Sequence, residues 1–194
     1  MVLTSVKEQI WALVHAERAA LIEDLAPLDD VRWDEPSLCA GWTVHDVAGH
    51  LVSNALATPV GFVLGLVRSR FDFERDNARG VERGRGGTPQ ETLDRLRAVL
   101  PRTSAPPVAL DSRLVEEIVH GEDIRRPLGI RRSYPEEAVI RAIRLQARTP
   151  ASFGGGKDLL TQVRLTATDA DISIGTGPET KGPALDLLLT LTGR

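Results

Sequence analysis

Apolar residues recur at helical spacing through the first three quarters of the chain. Ile10, Leu13, Val14, Leu21, Leu25 and Leu28 form the first such series. Ser5 and Glu8 have the spacing of a capping box ahead of it, and Pro27 with Asp29 and Asp30 closes it. Thr43 and Asp46 mark a second N-cap, and the pattern predicts a helix from Val44 through Val67, bent at Pro59 or Gly61. Thr88, Pro89 and Glu91 open a third helix, whose seam is Leu93, Leu96 and Leu100. After Pro106 and Pro107 a fourth begins near Asp111 and stops at Pro127. Another runs from Pro135 to about Arg148, with Ser133 and Glu136 offering a further capping box.

Beyond Pro150 the period changes from helical to alternating. Val163, Leu165 and Ala167 alternate with polar residues, Asp169 to Asp171 forms a turn, and Ile172 and Ile174 form a return strand. Gly175 to Gly182 reads as a loop, and Pro183 opens a leucine-rich terminal helix. The expected architecture is mainly α. A helical bundle occupies residues 1–150, and a β-hairpin–helix appendage of residues 151–194, too short for a core of its own, packs on it. Between the first two helices, Trp33 to Trp42 is a Pro- and Gly-containing connector whose tryptophans and Leu38 should fold back over a helix end.

Composition narrows the function classes. The chain has 194 residues, 42% of them hydrophobic, enough for one sizeable domain. A net charge of -3 argues against a general nucleic-acid binder. No apolar run reaches the roughly 20 residues of a membrane span, and the N-terminus lacks a signal-peptide pattern. A single cysteine, Cys39, suits a reducing, cytoplasmic setting. A homodimer is left open. Lysine stands only at Lys7, Lys157 and Lys181, and arginine supplies every other basic residue, a bias of high-GC genomes.

The stretch that carries chemistry is Arg113 to Asp123. On a helix Glu116 and His120 share a face, with Arg113 and Asp123 near the same line and Val119 and Ile124 flanking it. A carboxylate and an imidazole on one inward face supply two ligands of a metal site in a bundle, although an exposed Glu–His pair has the same spacing. His50, two turns inside the second helix, is the candidate third ligand, while His45 points away and reads as a surface residue. Asp123 is placed to accept the free imidazole N–H of His120. Cys39 reads as a small buried apolar residue rather than a nucleophile, because no histidine is fixed beside it by sequence. The charged segment from Arg68 to Gly87 reads as a solvated helical extension, anchored by Phe71 and Phe73. Arg79 or Arg83 within it would suit an acidic group of a cofactor or substrate.

Three segments together resemble a known family: PSLCAGWTVHDVAGHL, VHGEDIRRPLG, and the tail TATDADISIGTGPETKGPALDLLLTLTGR. In this order they are similar to the mycothiol-dependent maleylpyruvate isomerases, a branch of the DinB-like four-helix bundles. The resemblance implies a divalent metal, usually zinc, held by His50, Glu116 and His120. It also implies mycothiol, a thiol cofactor of actinobacteria, and a transferase or isomerase acting on a small electrophile. The tail is shortened relative to that family's C-terminal domain, which bears on the isomerase activity. Two competing classes remain at this point: a non-catalytic metal-bundle protein binding a small acid or thiol, and a plain helical interaction protein in which His50 lies far from His120.

Overall fold

A computed structural model describes residues 5–68 and 72–194. Helix α1 spans Val6–Leu25, and its Ser5–Glu8 capping box is formed in both directions. A short α2, Asp30–Trp33, follows. Helix α3, Val44–Ala55, starts at a second reciprocal capping box between Thr43 and Asp46. It ends earlier than its hydrophobic pattern suggests: the chain leaves the helix at Leu56 and resumes as α4, Pro59–Arg68. Proline at a first helical position lacks only an N–H that would be unpaired there, so Pro59 begins a helix rather than bending one. Helix α5 covers Phe73–Gly84, as expected of the charged segment; the anchoring roles read for Phe71 and the Phe73 side chain lie outside the described residues. Helices α6, Pro89–Val99, and α7, Ser112–Arg125, complete the first unit.

Four of these helices close a ring: α1 packs on α7, α7 on α3, α3 on α6, and α6 on α1. Helix α3 shows why. Val44, Val47, Ala48, Leu51, Val52 and Ala55 recur at intervals of three and four, and all are fully buried. They meet Leu21 and Leu25 of α1, Leu93 and Leu96 of α6, and Ile124 of α7 in one aliphatic core. Burying each leucine contributes about 1.5–3 kcal/mol. Trp33 is enclosed in that core as expected of the connector, and Trp42 packs against its edge, but Leu38 stays largely exposed. Helix α5 comes unusually close to α3, since a Cβ on Gly84 would stand 2.0 Å from the Gly49 carbonyl.

The close contacts divide the chain into Met1–Arg131 and Arg132–Arg194, ahead of the change of period at Pro150. In the second unit α8, Glu136–Gln146, packs on the terminal α9, Ala184–Leu191, which in turn packs on strand β1. The α8 start carries no side-chain cap, so the box predicted from Ser133 and Glu136 is not formed. Strands β1, Arg164–Ala167, and β2, Ser173–Gly175, make the expected antiparallel hairpin, with Leu165 opposite Ile174. The segment read as a loop contains a third strand, β3, Glu179–Gly182, parallel to β1 on its other side. Its residues are largely exposed and polar, so no alternation announces it. Gly175 and Gly177 adopt positive φ in the tight connection, where a side chain would meet the carbonyls of Val163 and Gln162. Among the described residues, no helix is long and apolar enough to cross a membrane.

Candidate metal centre

The packing of α3 on α7 brings His50 to the Glu116–His120 face. Glu116 Oε2 lies 3.4 Å from His50 Nε2 and 3.5 Å from His120 Nε2, with the two imidazole centroids 4.7 Å apart. These spacings suit a shared ion. Bonds of about 2.0–2.1 Å to tetrahedral zinc put neighbouring donors roughly 3.3 Å apart, and two nitrogens with one carboxylate oxygen form a donor set that zinc accepts. Exposure differs among the three side chains: 9% for His50, 15% for His120 and 30% for Glu116. Solvent therefore reaches the cluster past the carboxylate.

Each member is held from behind. Asp123 Oδ2 stands 2.9 Å from His120 Nδ1, and its carboxyl is fully enclosed. A carboxylate can only accept there, so the Nδ1 proton is fixed and Nε2 is turned toward Glu116 and His50. Asn54, one turn beyond His50 on α3, donates its amide to Glu116 Oε2. Arg113 Nη1 donates to both the backbone and side-chain oxygens of Asn54, each at 3.0 Å. Trp42 covers His50, with ring centroids 5.2 Å apart.

Protonation follows this geometry. Burial pushes the Glu116 carboxyl up, but hydrogen bonds and charge from His120 and His50 hold it well below the usual carboxylate range. Burial opposes a charge on His120, yet Asp123, Cys39 and Glu116 raise it well above the ordinary histidine value. Burial lowers His50, with His120 and Arg113 acting in the same direction and Glu116 against them. Without an ion the cluster is thus an imidazolium–carboxylate pair beside a neutral imidazole.

Two histidine-related readings change. Cys39 does have a histidine beside it: its Sγ lies 3.7 Å from His120 Nδ1 and 3.0 Å from Asp123 Oδ2. The backbone N–H of Leu38 also donates to the Asp123 carbonyl, which ties the connector to α7. Cys39, His120 and Asp123 form a second convergent donor group, but separations of 2.9–3.0 Å to the Asp123 oxygen are those of hydrogen bonds. His45 is not a surface residue. It is 2% exposed, accepts from Arg85 Nε at Nδ1 and therefore donates from Nε2 to Thr92 Oγ1. Its edge-on contact with Trp33 completes a structural role.

The arginines proposed for an acidic group lie on α5. Arg79 is half-buried and donates to the Arg68 carbonyl, while Arg83 is exposed. Among the described residues, neither forms an ion pair with the cluster. The arginine that does approach it is Arg113, whose place on the α7 line was legible but whose hydrogen-bonded link through Asn54 was not.

Residues 14–114, just over half of the chain, match the family model described as the mycothiol maleylpyruvate isomerase N-terminal domain. The chain belongs to this family. The matched span includes His50 and stops short of Glu116 and His120. Two solved structures share the fold: the mycothiol-dependent maleylpyruvate isomerase, at 16% identity and TM-score 0.67, and a histidine-to-alanine mutant of that isomerase, at 15% and 0.66. Each comparison covers 95% of this chain and 88% of the other. The mainly helical fold with its small C-terminal sheet is thereby established. No curated protein matches the chain.

Proposed function

We propose that this protein is a metal- and mycothiol-dependent isomerase, or a thiol transferase of the same build, acting on a small electrophilic substrate. The observation that carries the reading is the convergence of His50 Nε2, His120 Nε2 and Glu116 Oε2 inside a bundle of the isomerase family. These three residues would hold a divalent ion, with zinc the best fit to the donors. When bound, that ion supplies a positive centre that favours thiolate over thiol near neutral pH.

The chain's own groups supply positioning. Asp123 fixes the His120 proton on Nδ1, Asn54 holds the Glu116 carboxylate, and Trp42 shields His50 from water on one side. Arg79 and Arg83 are offered, on position alone, as outer contacts for an acidic group of the cofactor. Three protein donors leave coordination positions for cofactor or solvent, as catalytic zinc sites require.

The test is a comparison of untagged wild type with His50→Ala. Wild type should hold about one divalent ion per chain and, given mycothiol, turn over maleylpyruvate or a thiol acceptor such as chlorodinitrobenzene. His50→Ala should lose both properties. Metal and thiol binding without turnover of any electrophile would favour a non-catalytic module that binds a small acid or thiol. A wild type that stays metal-free in zinc, nickel and manganese would overturn the reading.

A further inference from the structure

Helix α4 carries no charged residue from Pro59 through Val67. At about 100° of turn per residue, Phe62 and Gly65 fall on one side of it, and Val60, Val63, Leu64 and Val67 on the other. The first side is turned to α5: Phe62 is half-buried, and a Cβ on Gly65 would stand 2.8 Å from Asp76 Oδ1. The second side lies in solvent, its four side chains between 47% and 70% exposed, and Leu56 at the entry to the helix is as open. A helix that is apolar on both sides has the pattern of an interior helix, not of a surface one.

The chemistry of the outward stripe restricts what covers it. A helix lying in a membrane surface needs a cationic polar face opposite its apolar one; α4 has Phe62 and Gly65 there, and the chain is net acidic at -3. A stripe of aliphatic side chains with no charge among them is instead complementary to itself. A twofold axis through its middle sets the Val60 end of one copy against the Val67 end of the other. The cores of homodimer interfaces have this composition, rich in apolar area and depleted of charge. Helix α5, alongside, exposes Asp72, Arg75, Glu82 and Arg83, so antiparallel copies can set acid against base at the rim. At roughly half a Val or Leu side chain apiece, the five residues leave on the order of 300 Å² of apolar surface per copy, the size of patch that marks an interaction site. Two such patches bury roughly 600 Å², and the α5 rims must supply about as much again to reach the low end of specific interfaces, so the pairing is a weak one.

We propose that the outward face of α4 is a homodimer interface, in which two copies of this chain pair through Val60, Val63, Leu64 and Val67 about a twofold axis near Val63 and Leu64. The pairing stands apart from the metal-site reading, because none of these residues is a proposed ligand or a hydrogen-bond partner of one.

The experiment is sedimentation equilibrium of the untagged full chain, as wild type, Val63→Asp and Val31→Asp, with melting temperatures taken at a dilution where wild type is monomeric. Val31 is more exposed still, at 76%, but lies on α2 and serves as the control. Wild type should pass from monomer to dimer between about 1 and 300 µM, the range of a small and weakly held interface. Val63→Asp sets two carboxylates against each other in an apolar contact and should weaken pairing by at least about tenfold. Its melting temperature should match wild type, and Val31→Asp should pair normally. Should Val63→Asp not fold, a Val63→Cys change in a Cys39→Ser background decides: mild oxidation should link two copies, whereas Val31→Cys in that background should stay unlinked. A wild type still monomeric at about 300 µM, or a dimer that Val63→Asp leaves intact, would overturn the proposal. So would monomeric protein that binds phosphatidylcholine–phosphatidylglycerol vesicles and loses them with Val63→Asp, since the occupant would then be a lipid surface.

Discussion

Asp123 Oδ2 and Glu116 Oε2 approach His120 from opposite ring nitrogens, at 2.9 Å from Nδ1 and 3.5 Å from Nε2. The relationship gives the imidazole one orientation and one tautomer in its neutral form. Asp123→Ala should therefore lower zinc affinity by about 10–100-fold, the usual cost of removing a ligand's hydrogen-bond partner, while the bundle persists. Competition against a chromophoric chelator measures this. An affinity equal to wild type would show that packing alone aims the ring.

The same pair makes metal uptake a proton exchange. His120 is raised well above its ordinary value, so its protonated form stabilises the ion-free fold fully below pH about 6.5. That contribution is lost as pH rises through the raised value. Zinc must displace this proton, whereas Glu116 is already ionised and His50 already neutral at pH 7. Zinc affinity should thus increase with pH, and about one proton should be released per ion at neutral pH. Calorimetry in two buffers of different ionisation heat counts the protons, and a count of zero would contradict the assignment.

The Cys39 thiol donates to the Asp123 carboxylate. Cys39→Ser keeps a donor of similar size and should retain zinc and any thiol-dependent turnover. Cys39→Ala removes it and should weaken zinc binding about two- to tenfold, the effect of roughly one neutral hydrogen bond. Loss of turnover in the serine variant, with zinc retained, would give the sulfur a chemical role.

Much of the bundle was legible because its signals are local. The Ser5–Glu8 and Thr43–Asp46 boxes act over one turn, and the α3 stripe follows directly from helical geometry. The Glu116–His120 pair was legible for the same reason, and inward-facing His50 completed it. The histidine beside Cys39 was not legible because His120 lies 81 residues away, so only the tertiary fold brings them together. His45 was misread because its burial depends on Thr92 and Arg85 from later elements. Strand β3 escaped notice because an exposed edge strand needs only backbone pairing, which leaves no hydrophobic pattern.

Arg18 and Glu117 form a buried ion pair whose hydrogen bonds do not involve the proposed metal ligands. Arg18 Nε meets Glu117 Oε1 at 2.7 Å, and Nη1 donates to the carbonyls of Val99 and Arg102 at the end of α6. Arg18→Met leaves the Glu117 carboxyl enclosed with its cation gone. The expected cost is about 3–5 kcal/mol, a fall in melting temperature of roughly 10 °C or more. Adding Glu117→Leu should restore much of it, since the charge is then removed rather than stranded. Failure of the double variant to recover would assign the loss to packing around Arg18 instead.

The division of contacts at Arg131 predicts where the chain tolerates a cut. Ala138, Val139, Ala142 and Ile143 of α8 are all buried, and α8 packs on α9. Ending the chain after Pro150 keeps α8 but removes α9 and the sheet, so this aliphatic stripe loses the partner it buries against. Ending it after Arg131 removes the stripe as well. The 1–150 fragment should consequently bind more of a hydrophobic dye and aggregate at lower concentration than the 1–131 fragment, despite being longer. Within the full chain, Leu188→Asp should act in the same direction by placing an unpaired charge at a fully buried α9 position. Dye binding and light scattering across the three proteins provide the measurement. A 1–150 fragment as soluble as the shorter one would place the structural boundary at the change of hydrophobic period rather than at Arg131.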